Sequence, residues 1–317
     1  MSELEQAVRA VVIDCMGVRE GEEVLVVCNP ATIGLGERLR GEAGRAGADA
    51  VTLLMTERGS HAAEPPAAVA AAMSAADVVL CPTVQSLSHT AARREASERG
   101  VRIATLPGVT EDLLARVMSA DMEGLRRKGG EIADALTAGS EVRITSAEGS
   151  DFTFSIEGRN GIPDAGDLTA PGAFGNLPCG EGFIAPVEGT ARGKLVVDGS
   201  IATLGIVDSP VEMTVEDGLL TDASGEMGAA LLELLAVGGE GGRNVAELGV
   251  GTNEKAKLTG NVIEDEKLLG TCHIAFGASA AIGGTVQVPV HLDCVVMRPT
   301  VAVDGTELVR DGELLVG

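Results

Sequence analysis

The sequence has no tryptophan, no tyrosine and only five phenylalanines in 317 residues. Its hydrophobic core must therefore be built from Ala, Val, Leu and Ile, with 43 glycines allowing backbones to approach closely. No tyrosine is available anywhere as an acid, a base or a hydrogen-bond donor. Positive charge is scarce as well. There are 24 Lys and Arg against 47 Asp and Glu, a formal net charge of −23. That field repels nucleic acid and anionic membrane, so neither is expected as a partner. No run approaches the roughly 18 apolar residues needed to span a bilayer. The opening MSELEQAVRAVVIDC also lacks the basic and apolar regions of a signal peptide. The six cysteines (Cys15, Cys28, Cys81, Cys179, Cys272, Cys294) include no CxxC pair. Most sit in apolar runs, where a thiol acts as a small hydrophobe. They are read as reduced, and the protein as soluble and cytoplasmic.

What is present falls into two textures. Up to residue 139, short apolar runs alternate with stretches of helical spacing. VLVVCNP, AVTLLM, DVVLCPT and VRIATLPG read as strands, with helices expected over 3–17, 34–47, 89–100, 110–118 and 121–137. Strands that are apolar throughout and separated by helices imply a doubly wound parallel sheet, an α/β domain over 1–139. From residue 140 the pattern alternates, with turns at Glu148–Asp151 and at Asp-Gly pairs 198–199, 217–218, 304–305 and 311–312. Only 227–239 is strongly helical there. The second domain, 140–317, is expected to be β-rich α+β. A GLG after the first strand lacks the full dinucleotide spacing, and no P-loop Lys-Ser or Lys-Thr follows.

Two of the four histidines, His273 and His291, lie between Asn244 and Pro299. Asp293 follows His291 by two residues, so both side chains share one face of an extended strand. Imidazole with carboxylate is ligand chemistry for a divalent metal. Their apolar surroundings, VQVPVHLDCVVM, make a burial partner necessary. Glu181 in NLPCGEG and Glu247 in NVAELGVGTN have similarly apolar or glycine-bounded settings. Together the five residues form an oxygen/nitrogen set able to hold two divalent ions with a bridging carboxylate, the arrangement of metal-assisted hydrolysis.

The ordered run NLPCGE, NVAELGVGTN, EKLLGTCHIAFG and HLD with a following Pro-Thr resembles the aminopeptidase T family of metallo-aminopeptidases, over about residues 176–300. The resemblance implies a homodimer with a C-terminal metal site, its ligands falling on Glu181, Glu247, His273, His291 and Asp293. A further family carboxylate corresponds to Glu266, although the spacing to the first His differs here. The family's catalytic tyrosine has no counterpart, since Ala280 lies near its place. A similar subgroup, the dihydroxypyridine dioxygenases, shares the fold but uses one non-haem Fe(II) on two His and one Asp. His273, His291 and Asp293 satisfy that set too. The SHTAAR stretch also resembles this subgroup. It places His89 at a strand end where open α/β sheets bind ligands, with Arg93 one helical turn on to hold a substrate carboxylate. His61, in a loop without sequence partners, reads as a surface residue.

The primary expectation from the sequence is a metal-dependent hydrolase, an aminopeptidase acting on short peptides or a small amide. Two zinc, cobalt or manganese ions would activate its water, with Glu247 and His89 as catalytic groups and His89 and Arg93 holding substrate. On this reading Glu247→Ala lowers the metal count from two to one. The alternative is a mononuclear Fe(II) dioxygenase that opens a hydroxylated aromatic ring.

Overall fold

Four apolar runs pair side by side as parallel strands in the computed structural model, which describes residues 1–316. They are β1 (Glu23–Cys28), β2 (Asp49–Leu54), β3 (Val78–Cys81) and β4 (Arg102–Thr105), in the spatial order β2-β1-β3-β4. A fifth parallel strand, β5 (Phe174–Asn176), adds to β4 at the far edge. It comes from much later in the chain, and its three residues FGN carry no apolar run that would announce it. The sheet buries Leu25, Val27, Val79, Cys81 and Ile103 against Val69, Met73, Leu87 and Ala96 of the flanking helices and loops. The expected first helix is regular only over Glu3–Arg9. It then widens into a π-helix over Ala10–Cys15, which still buries Val11, Val12 and Cys15.

The chain divides into two units, Met1–Met122 with Gly166–Cys179, and Glu123–Ala165 with the remainder from Gly180. The long helix Met122–Ala138 thus groups almost entirely with the second unit, ahead of residue 139, because Ile132 and Leu136 join that unit's core.

The second unit has two antiparallel sheets. One runs Leu219–Ala223, Val211–Glu216, Arg192–Val197, Asp151–Ser155, Glu141–Ser146, Pro299–Val303, Thr306–Arg310, Glu313–Leu314. The other contains β6 (Glu181–Ile184), β7 (Val245–Gly251), β8 (Cys272–Gly277) and β9 (His291–Val296) as consecutive neighbours, in the order β9-β8-β7-β6. The Asp-Gly pairs at 217–218, 304–305 and 311–312 all have positive φ at both residues, the requirement of tight type I′ hairpins. Asp198-Gly199 does otherwise: it carries the chain from the eight-stranded sheet into the seven-stranded one. Leu248, Val250, Ile274 and Cys294 turn one face of the second sheet into the core with Phe152 and Phe154. The opposite face is left for chemistry. Among the described residues, no helix is long and apolar enough to cross a membrane.

Candidate metal centre

Period-two alternation makes the site. On β7, Leu248 and Val250 face the core, so Glu247, Gly249 and Gly251 face the other way. β8 pairs with β7 so that Gly249 lies opposite His273 and Glu247 opposite Ala275. β9 pairs with β8 so that Asp293 lies opposite Ala275 and His291 opposite Gly277. β6 brings Glu181 opposite Gly251. Small residues therefore stand beside each large polar one, and five side chains converge over one patch of sheet.

The distances are short. His273 Nε2 lies 3.3 Å from Glu181 Oε2, 3.5 Å from Glu247 Oε1 and 4.0 Å from Asp293 Oδ1. His291 Nε2 lies 3.4 Å from both Glu247 Oε2 and Asp293 Oδ1. Glu247 thus spans the two imidazoles with its two oxygens. His291 Nδ1 lies 2.8 Å from the Ala278 carbonyl oxygen, a contact that fixes Nδ1 as the protonated nitrogen and leaves Nε2 for the site. Four of the five residues are buried and His291 is half-buried.

The structure also brings Glu266 into this group, and adds two residues that the sequence did not reveal. Lys267, fully buried, places Nζ 2.7 Å from Glu181 Oε1, 2.7 Å from Glu266 Oε1 and 3.2 Å from Asp164 Oδ2. Its only sequence signal is adjacency to Glu266, since Asp164 and Glu181 lie far back in the chain.

The electrostatics follow from many carboxylates in a dry place. Burial alone would lower the His273 pKa, but Glu181, Glu247 and Asp293 outweigh it and raise it to about 10. Burial acts the same way on His291 and is overcome by Asp293 and Glu247, so its pKa also rises. Asp293 resists its own burial through His291 and His273 and is held well below the carboxylate range. Burial pushes Glu266 up to about 8 and Asp164 up to about 6, in both cases against the pull of Lys267. A site that holds protons this tightly is one where a divalent cation has positive charge to replace.

The residues present fit such an ion. Glu181 Oε2 and His273 Nδ1 are buried with no hydrogen-bond partner, a cost that ligation or a trapped water relieves. Ligand atoms of Glu181, Glu247 and His273 lie within 4.8 Å of one another, as do those of Glu266, His273 and Asp293. Nitrogen and oxygen donors in this mixture suit Zn, Fe, Co or Mn more than Ca or Mg.

His89 and Arg93 belong to the first unit. His89 is exposed on the segment after β3, just before Thr90 caps the helix Ala91–Glu98. Arg93 is buried, donates from Nε to the Ser88 carbonyl at 2.7 Å, and lies 4.0 Å over the Phe174 ring. His61 is exposed but not idle, because its Nδ1 accepts from the Ser86 N–H at 3.0 Å.

Comparison with known proteins places the chain in a family. A solved structure of 2,5-dihydroxypyridine dioxygenase from Pseudomonas putida KT2440 superposes with a TM-score of 0.88, at 20% identity, covering 100% of this chain and 99% of that one. Wild-type AmpT from Thermus thermophilus superposes with a TM-score of 0.74, at 19% identity, covering 99% of each. The related fold expected from the aminopeptidase T resemblance is therefore present. A curated 2,5-dihydroxypyridine 5,6-dioxygenase from Pseudomonas putida (strain KT2440) is 22% identical over 258 residues, 77% of this chain and 72% of that protein. The family model described as NicX, 2,5-dihydroxypyridine 5,6-dioxygenase, matches residues 4–316. This overturns the primary expectation of a hydrolase, and with it the labels aminopeptidase, metallopeptidase and protease. The ligand types are common to both chemistries, so counting carboxylates could not separate them. With the match running from residue 4 to residue 316, the chain belongs to the 2,5-dihydroxypyridine 5,6-dioxygenase family.

Proposed function

We propose that this protein is a ring-cleaving dioxygenase that uses one ferrous ion to open a dihydroxypyridine. One observation carries the reading. His273, His291 and Asp293 sit on the adjoining strands β8 and β9, with both Nε2 atoms turned toward the same Asp293 oxygen, at 4.0 and 3.4 Å. Two imidazoles and one carboxylate are the facial set of non-haem Fe(II) oxygenases. A ferrous ion held there supplies the redox chemistry by which both atoms of O2 enter the ring at a carbon–carbon bond.

The remaining roles belong to the chain. The Ala278 carbonyl holds His291 in the tautomer that keeps Nε2 for the metal. Glu247, placed between the two imidazoles, is the buried carboxylate we assign to take the proton of a ring hydroxyl. Lys267 ties down Oε1 of both Glu181 and Glu266 and leaves Glu181 Oε2 turned toward His273. In the first unit, Arg93 steadies the segment that carries His89 through the Ser88 carbonyl.

The test is direct. Protein purified anaerobically and loaded with Fe(II) is mixed with 2,5-dihydroxypyridine, while oxygen uptake and ring absorbance are followed. One iron per chain is expected, with one O2 consumed per ring opened, and Asp293→Ala should lose both iron and turnover. Protein that retains one iron yet consumes no O2 with any dihydroxypyridine would sink the proposal.

A further inference from the structure

We infer that Glu188, clamped by Arg159, is a positioning residue for His291, acting through the loop that joins the two histidine strands. The inference rests on His291 being a metal ligand, as proposed above. Residues 280–290 of that loop are all exposed or half-exposed, whereas Ser279 at its root is buried. The carbonyl that orients the His291 ring belongs to Ala278, the residue just before Ser279. Whatever fixes Ser279 therefore fixes the acceptor for His291 Nδ1.

Glu188 does so with both oxygens. Its Oε1 accepts from the Thr285 N–H at 2.6 Å and from Ser279 Oγ at 3.3 Å. Its Oε2 pairs with Arg159, and the same guanidinium donates to the Gly283 carbonyl. Ser279 Oγ in turn accepts from the Val286 N–H at 3.3 Å, and the Ser279 carbonyl accepts from Gly284 at 2.9 Å. A Cβ at Gly284 would collide with Ser279 Oγ, so the turn closes this tightly only on glycine.

Apolar packing backs only one side of the loop, where Val290 packs against the core and Val286 and Val288 lie over Gly241. A cavity of about 320 Å³ opens against Arg159, Ala281, Ile282 and Gly283, leaving the other side of the loop without backing. An exposed loop beside a void keeps its shape through its polar anchors. Backbone bonds from Ala278 N–H to Val290 O and from Ser279 and Ala280 N–H to Val286 O hold the root of the loop, and its side-chain anchors converge on one carboxylate, seven residues beyond Glu181 along the same stretch of chain.

Cobalt(II) substituted into metal-free protein reports on the inference, because its absorption bands respond to the donors around it and its titration gives a Kd. His291→Ala is the reference for a lost imidazole. Glu188→Ala is expected to weaken cobalt binding by about 10- to 100-fold, the usual effect of losing an outer partner of a ligand. It should also move the bands in the direction that His291→Ala moves them. Glu188→Gln, which keeps an acceptor for Ser279 and Thr285, should restore most of the affinity. If Glu188→Ala fails to fold, Arg159→Met loosens the same carboxylate from its other side and should give a smaller shift of the same kind. Wild-type bands and Kd in folded Glu188→Ala or Arg159→Met protein, with His291→Ala still shifted, would overturn the positioning role alone. Unchanged bands in His291→Ala would instead remove His291 from the metal, and the inference with it.

Discussion

Gly249 faces His273 across the β7–β8 pair so closely that a Cβ added to it would stand 2.9 Å from Glu181 Oε2 and inside van der Waals contact of the imidazole. Its φ lies outside the left-handed region, so alanine suits the backbone and any penalty is steric. Gly249→Ala is expected to cost about 1–3 kcal/mol, typical of overpacking a filled interior. It should also weaken metal binding, because the ring it displaces carries a ligand nitrogen. Urea denaturation of the metal-free protein measures the first effect and a cobalt titration the second. Wild-type values for both would mean that the ring has room to step aside.

A feature of this fold is legible in the sequence when its cause lies nearby in the chain. The alternation of Leu248, Val250 and Ile274 with Glu247, Gly249 and His273 is local, and by itself it puts the polar set on one sheet face. His291 and Asp293, two residues apart, are legible for the same reason. Lys267 is not, because its partner Glu181 is 86 residues away, and a lysine beside a glutamate is ordinary on any surface. The fifth parallel strand escapes because FGN has no pattern of its own and is recruited by the edge of β4. The Asp198-Gly199 turn looks like a hairpin because local chemistry does not say which sheet the next strand joins. Hydrolase and dioxygenase do not separate on residue types, since two imidazoles and surrounding carboxylates serve both.

A pH-dependent latch is expected in the first unit. His61 Nδ1 accepts from the Ser86 N–H, which requires the neutral ring, and the partial loss of water around the otherwise exposed side chain lowers its pKa below the usual 6.5. The neighbouring Glu64 binds the Ala91 and Ala92 amides at 2.5 and 3.2 Å, and the Ala62 N–H donates to Ser86 O. A histidine with a depressed folded pKa holds fewer protons folded than unfolded in the window between the two values. Its stabilisation is thus complete above the unfolded pKa and is lost as pH falls through the folded one. By NMR, His61 should titrate below about 6.5, and protection of the Ser86 amide should fall over the same range. His61→Phe should abolish the step. Protection that stays flat from about pH 7.5 to 5 would show that the latch does not depend on the ring.

Lys267 sets the stability of the site before any metal arrives. Its ammonium is fully buried and meets three carboxylates, of Asp164, Glu181 and Glu266. Burial would lower its pKa, yet those three neighbours raise it well above the usual lysine value, so it stays charged throughout the working range. Removing one partner of a buried ionic group leaves the others uncompensated, which typically costs about 3–5 kcal/mol. Lys267→Met keeps an unbranched chain, one atom shorter, and removes the charge and its hydrogen bonds, so most of the loss it causes is electrostatic rather than a cavity. The measurement belongs in metal-free protein, because a bound ion would stabilise the folded state by mass action and mask the difference. A loss below about 1 kcal/mol would mean that the three carboxylates take up protons or water at little cost, and that the ammonium does not organise the site. Lys267→Arg tests geometry with charge retained: a planar guanidinium cannot reproduce three converging contacts from one nitrogen. An intermediate loss is expected for it.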